Sequence, residues 1–260
     1  MRRPVISLPR PSMPTTPPCT ETASWALACD LAAGRELEAH CRRWSLGVQT
    51  LAWFERRLGR LPRGLWLDAA CGTGILLDLL NDRLGGEGFA YFGADASAAA
   101  IELARLRHPG AAGRFTCADP AAIPTVGRLH DVWLGLDLFA WATPAERPAI
   151  LAEAKRLLRP GSLLVLSQPH VVLGGTTLVG LSPATLTSTL ASAGFRVRAI
   201  DELPVPSAPV STVDFGRRQR DWPRWGKAAL APVRDTDLPI GRRLLALAVA
   251  GHAWPHTSDR

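Results

Sequence analysis

Leu65-Trp66-Leu67-Asp68-Ala69-Ala70-Cys71-Gly72-Thr73-Gly74 is the segment on which the fold turns. An apolar run reaches an acid, bends through two glycines and enters an amphipathic pattern that begins at Ile75. Glycine lets the backbone come close to a ligand where a Cβ would clash. The helix behind such a turn presents free N–H groups at its first residues. Together these features describe a nucleotide-type cofactor crevice at the carboxyl end of the first strand of an open α/β sheet.

Two cofactor classes share that layout. A nicotinamide or flavin dinucleotide asks for G-x-G-x-x-G, whose third glycine allows tight helix–strand packing. Gly72 and Gly74 supply the first pair, but Leu77 stands at the third position. Asp68 also argues against a pyrophosphate, because a carboxylate there would repel it. The same carboxylate suits a cation, such as the ammonium or sulfonium of a methionine moiety. The dinucleotide reading is disfavoured.

With these residues in view, the chain resembles the class I S-adenosylmethionine (SAM)-dependent methyltransferases, many of which begin D-x-x-C-G-T-G. The likeness covers about residues 60–203 and rests on four segments in order. Leu65–Gly74 resembles the first strand and glycine loop. Phe89–Ser97 resembles the second strand, and Asp95 stands where the family binds both ribose hydroxyls. Arg114–Pro120 resembles the third strand, with Asp119 similar to the acid that accepts the adenine amino group. Leu157–Leu166 resembles the turn and fifth strand usually written L-R-P-G-G-x-L. The resemblance implies SAM as cofactor, S-adenosylhomocysteine (SAH) as product, and no metal. It implies a cofactor-binding set of Asp68, Ala70, Cys71, Gly72, Gly74, Asp95, Ala96, Asp119, Pro120 and Gly135. Physical reasoning agrees for Asp95, which falls about 20 residues past the glycine turn, where a ribose-binding acid belongs. An ionised carboxylate accepts from two hydroxyls and donates to neither. Asp119 precedes a proline, and Asp-Pro is itself a turn signal.

The 260 residues are enough for one substantial core with appended elements. Hydrophobic content of 47% and charged content of 20% read as an ordinary globular protein. All basic residues but Lys155 and Lys227 are arginine, and the net charge is +7. A solvated basic surface explains that charge better than a nucleic-acid partner, because aromatics are not clustered among the arginines. Cysteines 19, 29, 41, 71 and 117 show no C-x-x-C pair and no zinc spacing, so most are expected to be reduced, buried thiols. Prolines 4, 9, 11, 14, 17 and 18 break the N-terminal stretch, which therefore lacks a secretory h-region. Leu244–Gly251 is too short an apolar run to span a bilayer. A cytoplasmic protein, monomer or dimer, is expected.

Four parts are expected along the chain. Residues 1–20 form a Pro-rich arm, and 21–60 form two or three cap helices interrupted at Gly34 and Gly47. Residues 61–203 form a Rossmann-like, doubly wound, mostly parallel sheet, α/β in class. Residues 204–260 form an extension packed on this core. Helices are predicted over Ile75–Leu84, over Ala98–Arg107 with Ser97 as cap, and from Thr143-Pro144 to about Leu158. Another starts at Ser182-Pro183 and ends at Gly194. Strands are predicted at Asp131–Leu136 and from Phe195 to about Leu203. The family's antiparallel seventh strand is expected around Val210–Phe215 or elsewhere in the tail, and a short helix over Ile240–Ala250. Arg217–Trp225, a basic segment with two tryptophans, could touch RNA, but an amphipathic surface piece is the commoner outcome.

Methyl transfer from a sulfonium is an in-line displacement, so positioning supplies much of the rate. A base helps when the acceptor is a hydroxyl or an activated carbon. Asp137 follows the fourth strand and His170 the fifth, which makes them the candidate catalytic residues; imidazole, with an ordinary pKa near 6.5, is the better base. The fourth strand lacks the N/D-P-P-Y/F signature of amino-directed nucleic-acid methyltransferases. Phe139, Trp141, Trp44 and Trp53 either wall an apolar acceptor pocket or belong to the core. The expected activity is methylation of O, N or C on a small molecule, such as a natural product or modified peptide. An RNA-directed enzyme and an inactive partner subunit are the alternatives.

Overall fold

The computed structural model describes residues 36–173, 176–204 and 242–251. The expected Pro-rich arm, the stretch Val210–Phe215 and the basic segment Arg217–Trp225 lie outside these residues. Helix α1 (Glu36–Leu58) leads into strand β1 (Gly64–Asp68), helix α2 (Ile75–Leu84), strand β2 (Phe89–Asp95) and helix α3 (Ala98–Arg107). After a short 3-10 turn come β3 (Phe115–Cys117), β4 (His130–Leu136), α4 (Leu138–Trp141) and α5 (Arg147–Leu157). The chain continues through β5 (Leu158–Leu173), β6 (Thr176–Val179), α6 (Pro183–Ser192), β7 (Phe195–Pro204) and β8 (Arg242–Ala250).

The sheet order is β3-β2-β1-β4-β5-β8-β7, with β6 folded back on the outer end of β5. β3, β2, β1, β4 and β5 are mutually parallel, and β8 runs antiparallel to both its neighbours. This is the doubly wound, mostly parallel sheet that the alternating segments foretell. Local signals end the helices as expected. The Ser97 hydroxyl accepts the Ala100 N–H at 3.2 Å, and the Ser182 hydroxyl accepts that of Thr185 at 3.1 Å. Gly194 takes a left-handed φ of 82° just past α6. Glu146 reaches back to the Thr143 N–H at 2.7 Å, and α5 begins one residue later.

Two expectations are corrected. The run at Ile240–Ala250, predicted helical, forms strand β8 over Arg242–Ala250. A short apolar run fits a buried helix and a buried strand equally well by periodicity. Between β5 and β7 the run is buried on both sides, and its side chains divide by parity. Leu245 and Leu247 enter the core under α1, α2 and α3, while Leu244, Ala246 and Ala248 enter the core under α5 and α6. Nor does Gly47 interrupt α1, which runs through it unbroken. A Cβ there would lie 2.7 Å from Leu79 Cδ1, so this glycine serves the close approach of α1 to α2. Among the cysteines, Cys71 is a reduced, buried thiol as expected, whereas Cys117 is disulfide-bonded.

The C-terminal end of α1 is tied to edge strand β7. Trp53 Nε1 and the Arg57 guanidinium both donate to the Asp201 carboxylate. Burial pushes the Asp201 carboxyl up, but the hydrogen bonds from Arg57 and Trp53 outweigh it and hold the group below its ordinary value. A depressed folded-state value means this stabilisation is complete above about pH 4 and fades as pH falls through the folded value. Asp201→Ala would leave the buried Trp53 N–H without an acceptor, at a cost of about 1–3 kcal/mol. We expect a lower urea midpoint for the variant at pH 7 and a gap to wild type that narrows below pH 4.

Candidate cofactor and acceptor site

At the carboxyl end of β1 the chain makes the turn that the glycines were chosen for. Gly72 and Gly74 have φ of 53° and 75°, left-handed values that side chains other than glycine adopt at a cost. Gly74 has a second reason to lack a Cβ, which would sit 2.9 Å from the Phe115 ring. The turn is laced to both neighbouring strands. Ala69 N–H donates to the Leu134 carbonyl at 2.8 Å, and Cys71 N–H to that of Ala94 at 2.9 Å.

Two buried carboxylates flank the turn, each 1% exposed. Asp68 accepts the Tyr91 hydroxyl at 2.9 Å and the Ala70 N–H at 3.3 Å. Asp95 accepts the Gly72 N–H at 2.7 Å and the Ser97 N–H at 3.0 Å, joining the loop after β1 to the loop after β2. Ala96 lies between Asp95 and Ser97 on that second loop. Asp119, beyond β3, is exposed and accepts the Ala121 N–H at 2.8 Å, so the Asp-Pro pair does start a turn; Pro120 beside it is buried. Gly135 is placed differently from the rest. It lies inside β4, where a Cβ would meet Leu166 and Trp133 at 2.8 Å, so packing against these side chains accounts for it.

Sequence reasoning missed the brace on the glycine loop. Arg107, at the end of α3, donates to Thr73 Oγ1 at 3.2 Å and pairs with Asp78 of α2. His108 Nε2 lies 3.1 Å from the Gly74 carbonyl, and its ring stacks on Phe115. Burial pushes the Asp78 carboxyl above its ordinary value, in spite of the opposing pull of His108 and Arg107. The signal was present in the sequence only as an Arg-His pair at a helix end. Nothing in its spacing to residue 74 revealed the contact.

The two candidate catalytic residues are not brought together. Asp137 follows β4 with a left-handed φ of 61°. Its N–H donates to the Ser167 hydroxyl at 2.9 Å, its Oδ1 accepts that hydroxyl at 3.1 Å, and the same oxygen pairs with Arg243 of β8. Strand alternation places Ser167 and Arg243 on the α1 side of the sheet. His170 lies on the opposite side, with Gln168 and Leu244. It is 4% exposed, and its Nδ1 is 3.0 Å from Glu202 Oε1 on β7. His170 Nε2 and Gln168 Oε1 are buried without a hydrogen-bond partner. Such groups cost about 1–3 kcal/mol each when left so. Of the four aromatics considered for a pocket wall, Trp44, Trp53 and Phe139 are core, and Trp141 is 43% exposed.

Among the described residues no group of His, Cys, Asp and Glu is arranged to hold a metal, and no helix is long and apolar enough to cross a membrane. Residues 67–161, from β1 to the turn within β5, match the family model described as "Methyltransferase domain". Over that span the chain is similar to a methyltransferase domain. No curated protein is matched by the chain. Several solved structures share its fold. The (4+2)-cyclase SpnF aligns at 20% identity over 78% of this chain and 80% of that one, with a TM-score of 0.54. Geranyl diphosphate C-methyltransferase from Streptomyces coelicolor, solved with geranyl diphosphate and SAH, aligns at 11% identity over 78% and 80%, TM-score 0.52. A Haloferax volcanii complex of the Trm112 methyltransferase activator with a methyltransferase aligns at 17% identity over 90% and 100%, TM-score 0.58. At these identities the likeness is one of fold.

The matched segment thus draws on β8 for its Asp137–Arg243 pair. Arg243→Met should keep the packing of the stem and strand the Asp137 carboxylate, lowering stability by about 1–3 kcal/mol. Adding Asp137→Gly removes the uncompensated charge and relaxes the positive φ, so the double variant should recover part of that loss. Equal urea midpoints for the single and double variants would refute this account.

Proposed function

We propose that the protein transfers the methyl group of SAM to a small-molecule acceptor. The observation that carries this reading is the carboxylate-flanked glycine crevice inside a matched methyltransferase domain. Its donors and acceptors fit the cofactor. Asp68 is an anionic acceptor for an ammonium group, and Asp95, held by two backbone N–H groups, for ribose hydroxyls. Gly72 and Gly74 let the loop take the left-handed turn that lies between the two carboxylates. Asp119 and Pro120, beyond β3, are assigned to the adenine. Bound in this crevice, SAM supplies an electrophilic methyl carbon on a cationic sulfur.

The chain's own part is to hold the acceptor's lone pair in line with that carbon and to keep water out. Reacting atoms held at about 3–3.5 Å can account for roughly 7–11 kcal/mol of barrier. The acceptor is assigned to the carboxyl ends of β4 and β5. Asp137, engaged by Arg243 and Ser167, is the fixed wall of that space. His170 is the candidate base on the opposite face of β5. Small-molecule chemistry is favoured over nucleic acid because the fourth strand ends Leu136-Asp137-Leu138-Phe139, without the amino-directed motif.

Isothermal titration with SAM and SAH tests the crevice directly. Wild type should bind both. Asp95→Asn should weaken binding at least about tenfold, since a neutral amide makes a weaker acceptor than a carboxylate. Gly72→Val should abolish binding by crowding the loop. Unchanged affinity in Asp95→Asn, with folding verified by circular dichroism, would remove the ribose assignment.

A further inference from the structure

Two polar atoms in the part of β5 that runs past the end of β4, His170 Nε2 and Gln168 Oε1, are buried without a hydrogen-bond partner. Their side chains share one face of the strand, two residues or about 6.6 Å apart. In each residue the other polar atom is already engaged, and that settles the chemistry of the orphan. The Gln168 amide nitrogen donates to the Leu181 carbonyl at 2.8 Å, so the oxygen is the end left over. His170 Nδ1 lies 3.0 Å from the Glu202 carboxylate, which can only accept. In the neutral ring the proton therefore sits on Nδ1, and Nε2 presents a lone pair. Both residues are at least nine-tenths buried, at 1% and 4% exposure.

We infer that Gln168, His170 and Glu202 form the subsite for a hydroxyl-bearing acceptor, with His170 Nε2 as proton acceptor and Glu202 as positioning residue. The inference rests on the methyltransferase reading and names its substrate class. An amine attacks through its own lone pair and needs no proton removed beforehand. A carbon nucleophile offers no O–H to two waiting acceptors. A hydroxyl does both things: it donates in the ground state and becomes a better nucleophile as its proton leaves. Asp137 is a poorer base, because its Oδ1 is committed to Arg243 and Ser167. In the step, the acceptor oxygen forms its bond to the methyl carbon as the carbon–sulfur bond breaks. The O–H proton passes to His170 Nε2, and the sulfur keeps the electron pair as SAH departs. Glu202 holds the tautomer and stabilises the imidazolium that results.

Long-range proton–nitrogen NMR on histidine-labelled, SAH-saturated protein tests this without a known acceptor. Wild type should show His170 with a protonated Nδ1 and a bare Nε2. Phenol should move the Nε2 resonance saturably, whereas anisole, the same ring without a donor, should not. Glu202→Gln should scramble the tautomer and weaken the phenol response about tenfold, consistent with loss of a charge-assisted hydrogen bond; Glu202→Asp should restore the tautomer. Gln168→Met should leave the tautomer alone and weaken phenol binding several-fold. Near-UV circular dichroism must stay native in each variant, which separates these effects from unfolding. A proton on Nε2 in wild type, or equal responses to phenol and anisole, would overturn the subsite. Failure of the same sample to bind SAH by calorimetry would instead overturn the methyltransferase reading.

Discussion

Asp95 accepts one backbone N–H from the loop after β1 and another from the loop after β2, and it does so almost wholly out of water. A buried ionised carboxylate is tolerated only with such partners. The arrangement therefore works in both directions: the backbone holds the acid in place, and the acid fixes the spacing of the two loops. The crevice depends on that spacing. The Arg107 and His108 brace acts on the same loop from the other side, so the glycine turn is held against two helices and two strands at once. A binding loop made mostly of glycine and alanine gains its shape from neighbours, since its own side chains supply almost none.

The parts of this fold that are governed by local chemistry were legible from residues alone. Ser97 and Ser182 cap the helices they precede, Gly194 ends α6, and the apolar runs at Leu65 and Asp131 become parallel strands. Those features depend on contacts a few residues apart. Where meaning lay in distant contacts, the chain was opaque. Gly47 looked like a helix breaker until Leu79 came against it, and the Leu244–Ala250 run looked helical until strands flanked it on both sides.

The site divides along the same line. Asp68, Gly72, Gly74 and Asp95 sit around one turn because that turn is a contiguous motif plus the end of the adjacent strand. Tyr91, Arg107, His108, Arg243 and Glu202 escaped notice, since each reaches the site from an element whose register with it is a tertiary fact. Asp137 does follow β4, but His170, expected after the fifth strand, lies inside β5, which runs on to Leu173 and pairs with Arg242 of β8 at His170. Alternation along β5 puts the Ser167 partner of Asp137 and the His170 ring on opposite faces, a distinction that depends on which residue of the strand comes first.

Strand β8 has a consequence for synthesis. It lies between β5 and β7 although it follows both in sequence, and it carries the arginine that neutralises Asp137. A ribosome-bound chain that has not yet extruded residue 242 has no filler for that slot, so β5 presents an open hydrogen-bonding edge and β7 has nowhere to dock. Open edges of this kind invite pairing with other chains. Completion of the sheet is thus a late event in the life of each molecule, and premature termination anywhere upstream of β8 leaves a sticky, half-built sheet rather than a slightly shorter protein.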